Sequence, residues 1–444
     1  DRISDLFLRQ FDHFTLRDSH LSFLTISGQR AELAVPQLTW LNGRNRHRAE
    51  GQLSLSSLTG QHGVMQVRMD LRDEDGLLNK GRVWLQADDI DVKPWLGRWM
   101  QDNIALKSAR FSLEGWMTIE KGDVASGDVW LKKGGASWQG DDEVHHLSVD
   151  NLTAHLSHDK QSWGFYIPDT RIAIDDKPWP SGALAMAWIP AQDVGGDDHQ
   201  RSDELRIRAS NLTLSGLSGL QPFADKLAPS LGELWRTTQP SGKINLLALD
   251  IPLQATEKTR FQAQWSDLAW KQWKLLPGAE HFSGSLNGSV EHGELRARMT
   301  QALMPYTGVF RAPLEIAAGE ATLSWVKNDK GFMLDGRDID VQATGVRARG
   351  GFRYLQPQGD DPWLGILAGI STNDGGQAWR YFPENLMGKA LVDYLSGAIK
   401  AGQARDATLV YGGNPHLFPY PHNEGQFQVY VPLKNATFAF QPDW

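Results

Sequence analysis

The sequence predicts a mainly β protein: a long, twisted antiparallel repeat sheet curled into an open apolar groove, with a few short helices at its rims or ends. Three observations predict it. Apolar and polar residues alternate with period two along much of the chain, a short phase-breaking motif recurs, and helical periodicity is confined to a few segments.

The alternation comes first. Val67, Met69 and Leu71 alternate with Gln66, Arg68, Asp70 and Arg72. Phe111, Leu113, Met117 and Ile119 alternate with Arg110, Ser112, Glu114, Thr118 and Glu120, and Gly115 fills the apolar phase. Leu205 and Ile207 stand against Arg206 and Arg208, and Phe282, Leu286 and Val290 against Ser283, Ser285 and Ser289. Successive side chains of a strand point to opposite faces, so each run has one apolar face and one facing water. Antiparallel sheets read this way; doubly wound parallel sheets do not. The residues expected to share the apolar face are Val67, Met69 and Leu71; Phe111, Leu113, Met117 and Ile119; Leu205 and Ile207; and Phe261, Leu286 and Leu334. Arg110, Glu114, Arg206, Arg208 and Gln262 are expected to face water.

The recurring motif has three alternating apolar-phase residues, then a polar residue, then Leu or Ile directly after it. Val83, Leu85 and Ala87 lead to Asp89 and Ile90; Leu205, Ile207 and Ala209 to Asn211 and Leu212. Phe261, Ala263 and Trp265 lead to Asp267 and Leu268; Phe332, Leu334 and Gly336 to Asp338 and Ile339. Weaker copies reach Asn151-Leu152 and Gln37-Leu38. A return every ~50–70 residues suggests a repeat architecture. Each motif breaks the phase by one position, which would flip later side chains unless a bulge absorbs the slip. The Asp or Asn therefore marks a strand kink. Gly51, Gly81, Gly242 and Gly425 each open an alternating run, as expected of a tight turn entering a return strand. At about 14 residues per strand and turn, the chain holds roughly 30 strands.

Three helices are expected. Pro222 to Trp235 places Phe223, Leu227, Leu231 and Leu234 on one face, with Pro229 set to kink or split it. Lys93 to Ile104 carries Trp95, Trp99 and Met100. Glu384 to Lys400, opened by Pro383, carries Leu386, Leu391, Tyr394, Leu395 and Ile399. The Asp193 to Asp203 and Gln356 to Asp361 stretches read as loops, and neither delimits a domain. Residues 1–444 are therefore expected to be one continuous repeating β-groove segment, with the 384–400 helix within it.

Composition excludes several function classes. The net charge of -8 is spread in both signs, with no basic footprint for nucleic acid. The absence of cysteine rules out disulfides and thiolate metal sites. No apolar run approaches the ~18 residues of a membrane span. The chain opens at Asp1 without a leader and stops after the strand-like Ala436 to Phe440, so it is expected to be cut from a longer protein whose anchor lies elsewhere. Nucleophile-elbow, phosphate-loop and dinucleotide motifs are missing, and the acidic Asp73 to Asp75 and Asp141 to Glu143 sit where turns are expected. No enzyme activity, cofactor or metal site is expected. His155 and His158, beside His145 and His146, are three apart on a strand and so face opposite ways, as solvated strand histidines rather than a ligand set. Trp84, Trp116 and Trp130 fall on the polar phase, where they would pack under rim helices or mark a partner surface.

The run Asp393-Tyr-Leu-Ser-Gly-Ala-Ile-Lys-Ala-Gly-Gln, continued by Ala407-Thr-Leu-Val-Tyr-Gly-Gly and His416-Leu-Phe-Pro-Tyr-Pro, together with the strand repeat, resembles the AsmA-like family, which includes TamB-type proteins. The resemblance covers the whole chain, without the family's inner-membrane helix and C-terminal end. It implies a long antiparallel sheet curled along its length with an apolar concave face. It implies passage of phospholipid from the inner to the outer membrane of a diderm bacterium, supporting outer-membrane lipid homeostasis and barrier integrity. The chain would be a periplasmic segment of an inner-membrane-anchored envelope protein. Its partners would be phospholipid acyl chains and, through parts outside this segment, both membranes.

Elementary energetics agrees. A sheet with one apolar face must bury it, and three short helices are too little cover. Two acyl chains of about fifteen methylenes need on the order of 20 kcal/mol of apolar contact to leave a bilayer, at ~0.8 kcal/mol per CH₂. The twelve apolar-phase residues named above are the expected lining of that lipid groove. Two other readings stay open at this point: a carbohydrate-binding or carbohydrate-acting β-array, from abundant Trp and acidic turns, and a purely structural scaffold.

Overall fold

The alternating runs form strands in the computed structural model, which describes residues 9–24, 30–54, 63–74, 77–93, 105–140, 142–159, 162–179, 182–191, 203–227, 229–274 and 276–439. The chain packs as two units, Asp1–Glu233 and Leu234–Trp444. In the first, β1 (His13–Leu24), β2 (Arg30–Asn42), β3 (Arg46–Ser54), β4 (Val64–Glu74), β5 (Leu77–Asp91), β6 (Leu106–Glu120), β7 (Asp123–Gln139) and β8 (Val144–Asp159) each pair antiparallel with the next. β9 (Ser162–Ile167) pairs with the end of β8, β10 (Ile172–Ile174) with its beginning, and β11 (Lys177–Pro178) with β10. β12 (Leu184–Ile189) then joins β9 to β13 (Glu204–Thr213).

In the second unit, β14 (Ser241–Pro252), β15 (Arg260–Trp270), β16 (Ala279–Ser289), β17 (His292–Met304), β18 (Leu314–Asn328), β19 (Gly331–Ala343), β20 (Val346–Pro357), β21 (Trp363–Thr372) and β22 (Ile399–Gly413) pair in chain order. β23 (Gln426–Tyr430) and β24 (Leu433–Phe438) both pair with β22. In neither unit do the first and last described strands pair, so neither closes into a barrel. The described residues hold 24 strands rather than roughly 30, because single strands such as β7 run to 17 residues.

The kink motif carries a left-handed residue, and at Asp89, Asp267 and Asp338 that residue sits in a bulge. Asp89, Asn151, Asn211, Asp267 and Asp338 have φ of 48°, 60°, 54°, 52° and 50°. Asp and Asn tolerate this region because their short polar side chains bond locally. In β5, Asp88 and Asp89 stand against Ser112 alone, since Ala87 pairs with Leu113 and Ile90 with Phe111. In β15, Ser266 and Asp267 stand against Ser283 in the same way. The extra residue reverses parity, so Ile90 and Leu268 land on the face that Ala87 and Trp265 already occupy. A serine on the facing strand accepts the freed amide of the bulge: Asp89 N donates to Ser112 Oγ at 2.9 Å and Asp267 N to Ser283 Oγ at 3.1 Å. Asp406 (φ 56°) repeats the device, donating to Ser371 Oγ at 3.3 Å. The sequence reading missed it because Ala407, not Leu or Ile, follows. Gln37 departs from the motif. The β2–β3 shift falls between Ala34 and Gln37, where Pro36 cannot take positive φ, and the left-handed residue of this region is Asp18 on β1.

Two glycines expected at turns sit inside strands. A Cβ on Gly51 would lie 2.2 Å from Gln37 O, and one on Gly81 2.2 Å from Asp70 O. Both are glycine because a neighbouring backbone crowds them, not because the chain turns there. Gly242 and Gly425 do stand where a strand begins.

Helices are short. The segment around Pro229 is split, into Gln221–Leu227 and Pro229–Thr238. The expected 384–400 helix is also two pieces, Glu384–Met387 and Lys389–Ala398, separated by Gly388 at φ 85°. Ile399 and Lys400 belong instead to β22. Arg311 holds both pieces, at 2.6 Å from Glu384 Oε2 and 2.6 Å from Asp393 Oδ1, while Val392 of the second piece is fully buried. All but Lys93 and Ala105 of the 93–105 region, including the expected helix faces, lies outside the described residues.

The bulge chemistry generates a stability ordering. Asp267→Val places a β-branched residue at φ 52° and should cost about 1–2 kcal/mol, whereas Asp267→Gly should cost less than Asp267→Val. Urea unfolding of the three proteins checks it; equal midpoints for Val and Gly would remove the left-handed residue as a determinant.

Candidate functional site: the apolar sheet face

Residues directly opposite in an antiparallel pair share a face, so the register maps the apolar surface. In the first unit one row of opposed residues starts at Phe14, Trp40, Ala49, Met69 and Val83. It continues through Met117, Gly127, Leu156, Phe165, Met186 and Ile207. It crosses eleven strands without a charged residue. The neighbouring rows hold the rest of the expected set on the same face: Val67 opposite Leu85, Leu71 and Ile119 either side of Gly81, Leu113 opposite Ala87, Phe111 opposite Ile90, and Leu205 opposite Trp188.

The second unit repeats the arrangement. A row runs Leu247, Ala263, Leu286, Leu295 and Leu323, then Gly336, Phe352, Ile366, Tyr411 and Phe427. Phe261 and Leu334 lie in the adjacent row, linked through Gly288, Gly293 and Trp325. Phe261, Trp325, Phe332 and Leu334 line an open hollow of about 570 Å³ on this face, with Lys327 at its margin. Thus all twelve expected residues lie on the apolar face of their own unit. Aromatic members such as Phe14, Trp40, Trp163, Phe165, Trp188 and Trp325 were not singled out from sequence, although Trp163-Phe165-Ile167 and Leu184-Met186-Trp188 carry the same alternation.

The face is only partly covered. Buried clusters exist, as around Val35, Leu38 and Ala49 and around Val149, Leu152, Ala154 and Ile167. Between them Met69, Val83, Met117, Leu156 and Ile207 are half-buried, and Phe165, Met186 and Trp188 are each 37% exposed. A sheet packed against a second protein layer would bury these residues outright.

The opposite phase faces water. Arg110, Arg206, Arg208 and Gln262 are exposed. Glu114 is half-buried, because its carboxylate accepts from Trp84 Nε1 at 2.9 Å and pairs with Lys132 at 3.1 Å. Trp84, Trp116 and Trp130 are on this polar side, opposite Arg68, Asp128 and Glu114 respectively. His155 pairs with Asp128 on the polar face, whereas His158 stacks on Trp163 at 4.0 Å, beside the apolar row. His145 binds Asp175 at 2.8 Å. The acidic stretches at 73–75 and 141–143 are described in part: Asp73 lies beside Arg9 at 3.5 Å and His47 at 4.0 Å, and Asp142 and Glu143 form an exposed bend before β8.

Comparison with known proteins adds the following. A family model described as YhdP protein matches residues 1–444. A curated relative from Escherichia coli (strain K12), named "Intermembrane phospholipid transporter YhdP", is 77% identical over 442 residues, covering 100% of this chain and 35% of the relative. The chain thus spans about a third of the length of the curated relative it matches. No solved structure is a significant match. Among the described residues, no helix is long and apolar enough to cross a membrane.

Near the edge of the first unit's apolar face lies a buried polar residue. His47 is 1% exposed, opposite Leu71. Asn42 Oδ1 accepts from Trp40 Nε1 at 2.7 Å and lies 2.7 Å from His47 Nδ1, which assigns the proton to Nδ1 and leaves Nε2 bare toward Asp73. Burial lowers the His47 pKa, outweighing the opposite pull of Asp73. The unfolded chain then binds a proton that the folded chain refuses, so the stabilising contribution is fully present above the unfolded value of about 6.5 and is lost as pH falls from there through the lower folded value. Unfolding followed from pH 7.5 to 5.5 should show a steeper loss for the parent protein than for His47→Gln. Parallel profiles would exclude His47 as the titrating group.

Proposed function

The chain belongs to the YhdP family, and from that premise we propose that it is a lipid-conducting stretch of a longer envelope protein. Its apolar sheet face holds phospholipid acyl chains in transit between the inner and outer membranes of a diderm bacterium. It is a periplasmic segment, its membrane attachments lie in other parts of the protein, and it works without covalent chemistry. The passage supports outer-membrane lipid homeostasis and the barrier.

The observation that carries this reading is the unbroken apolar row, eleven strands in one unit and ten in the other, left half-open along its length. An acyl chain leaving a bilayer loses ~0.8 kcal/mol per methylene, so a gap of a few charged residues would strand it. Glycines in the rows, Gly127 among them, widen the channel without adding polarity. Neighbouring strands are about 4.8 Å apart, so a chain can advance strand by strand among near-equivalent sites. The headgroup stays at the open side in water, because desolvating its charge is costly. The name of the curated relative, an intermembrane phospholipid transporter, agrees with this substrate class.

Inward charges should obstruct transport while outward ones should not. Leu113→Asp, Ile207→Asp and the more exposed Met186→Asp each put a carboxylate against acyl chains and should lower lipid occupancy about tenfold, equivalent to ~1.4 kcal/mol per site. Arg206→Asp, on the opposite phase, should stay within about twofold. Native mass spectrometry of co-purified lipid reads occupancy, and complementation of an outer-membrane barrier defect in cells lacking overlapping relatives reads function, with protein abundance checked. Full occupancy and full complementation by all three inward variants would favour a scaffold over a conduit.

A further inference from the structure

The conduit leaves the polar face of the first unit without a role, and that face is not a featureless solvent surface. Four glutamines, Gln37, Gln52, Gln66 and Gln86, are directly opposed across β2 to β5. None has a side-chain hydrogen-bond partner among the described residues, and three of the four are exposed. Beside this ladder Trp84 and Trp116 are opposed across β5 and β6. Trp84 is fixed, with Arg68 5.1 Å from its ring centroid and Glu114 accepting from its N–H. Trp116 is 44% exposed, with no hydrogen-bond partner among the described residues. Both edge an open hollow of about 1100 Å³ on this side of the sheet, lined largely by the polar-phase residues of β2 to β7.

We propose that this face binds an extended, acidic glycan lying across the strands. An indole face offers an apolar platform of the size of one pyranose ring while its edge stays wet. Each amide of the ladder offers both donors and acceptors, as a sugar hydroxyl requires. The ladder's rungs are about 4.8 Å apart, close to the advance of one pyranose along an extended chain, so one chain can meet successive glutamines in register. The acidic preference comes from Arg48 and Arg82. They stand either side of Asp70, whose carboxylate is already held by Arg46 at 2.8 Å, while Glu50 is held by Arg68 at 3.1 Å. Asp70 is hydrogen-bonded by Arg46 and only attracted at longer range by Arg48, so the guanidinium donors of Arg48 and Arg82 are left for a ligand carboxylate, which a guanidinium fork binds in bidentate fashion. Single-stranded nucleic acid would also use stacking and cations, but it requires a continuous cationic groove, and here carboxylates interleave with the arginines. A protein partner would want an apolar core to the patch, and the two indoles are surrounded by amides and charges.

The test is titration of the 444-residue chain with hexagalacturonate, with chitohexaose as a neutral counterpart and a thymidine oligonucleotide as a polyanion, read by calorimetry and tryptophan fluorescence. Hexagalacturonate should bind more tightly than chitohexaose, and added salt should narrow the gap. Trp116→Ala should weaken hexagalacturonate about five- to tenfold, the worth of one stacking contact, and Trp116→Tyr should recover most of it. Gln52→Ala with Gln66→Ala should weaken both sugars, whereas Arg48→Gln with Arg82→Gln should abolish the preference for the acidic one. Circular dichroism and retained lipid occupancy report that each variant is folded and that the opposite face is untouched. No binding of either sugar, binding indifferent to Trp116→Ala, or equal binding of the oligonucleotide would overturn the assignment.

Discussion

Parity is the constraint on which the rest of this protein depends. A strand offers alternate residues to alternate faces, so a surface that is apolar across eleven strands exists only if every strand enters the sheet in the correct phase. Strands this long also need to bend, and the bend is a bulge that would reverse the phase. The chain reconciles the two by coupling each reversal in structure to one in sequence. Ile90 follows Asp89 and Leu268 follows Asp267 without the expected polar spacer, and each returns to the face it would otherwise have left. The left-handed residue, the parity shift and the serine on the facing strand form one device, repeated at Asp89, Asp267 and Asp406.

A face built this way is a thermodynamic problem unless something covers it. Part of the cover is internal: Val35 and Ile90 are essentially inaccessible, and small clusters gather around them. The long middle of each row is left half-open, with methionine and aromatic side chains that adapt to irregular apolar contacts. The short helices do not seal it. The two pieces at 384–398 are anchored by Arg311, which clasps Glu384 and Asp393, and Val392 supplies the buried contact. For the proposed lipid conduit such incomplete cover is useful, because a permanent protein lid would exclude the cargo.

The two faces of the sheet carry different chemistry at no structural cost to each other. Substituting Arg206 or Trp116 changes one side of the pleat while Ile207 or Met117 keeps its place on the other. The tryptophans on the polar phase fit this division. Trp84 and Trp130 are held by Glu114 and Asn151 through their indole N–H groups, so they belong to a polar network rather than to a displaced core.

Much of this was legible in the residues. Alternation at Val67 to Leu71, Phe111 to Ile119 and Leu205 to Ile207 determined strand and face together, because a strand's side-chain direction depends only on parity. The Asp and Asn of the repeat marked kinks for the same local reason, since few other side chains accept a left-handed backbone. Sequence misjudged what depends on neighbours. Gly51 and Gly81 read as turn glycines, but an adjoining strand's carbonyl, distant in sequence, is what forbids their side chains. The 384–400 helix read as continuous because its apolar spacing is regular, yet Gly388 breaks it and Ile399 and Lys400 belong to β22, where Ile399 pairs with Phe438 of β24. Asp18, rather than Gln37, takes the left-handed turn near β2, where Pro36 holds its own backbone rigid. Parity is a property of one strand and can be read from it. Register, close approach and the opposition of Gln37, Gln52, Gln66 and Gln86 are properties of pairs of strands, and only the folded sheet brings those pairs together.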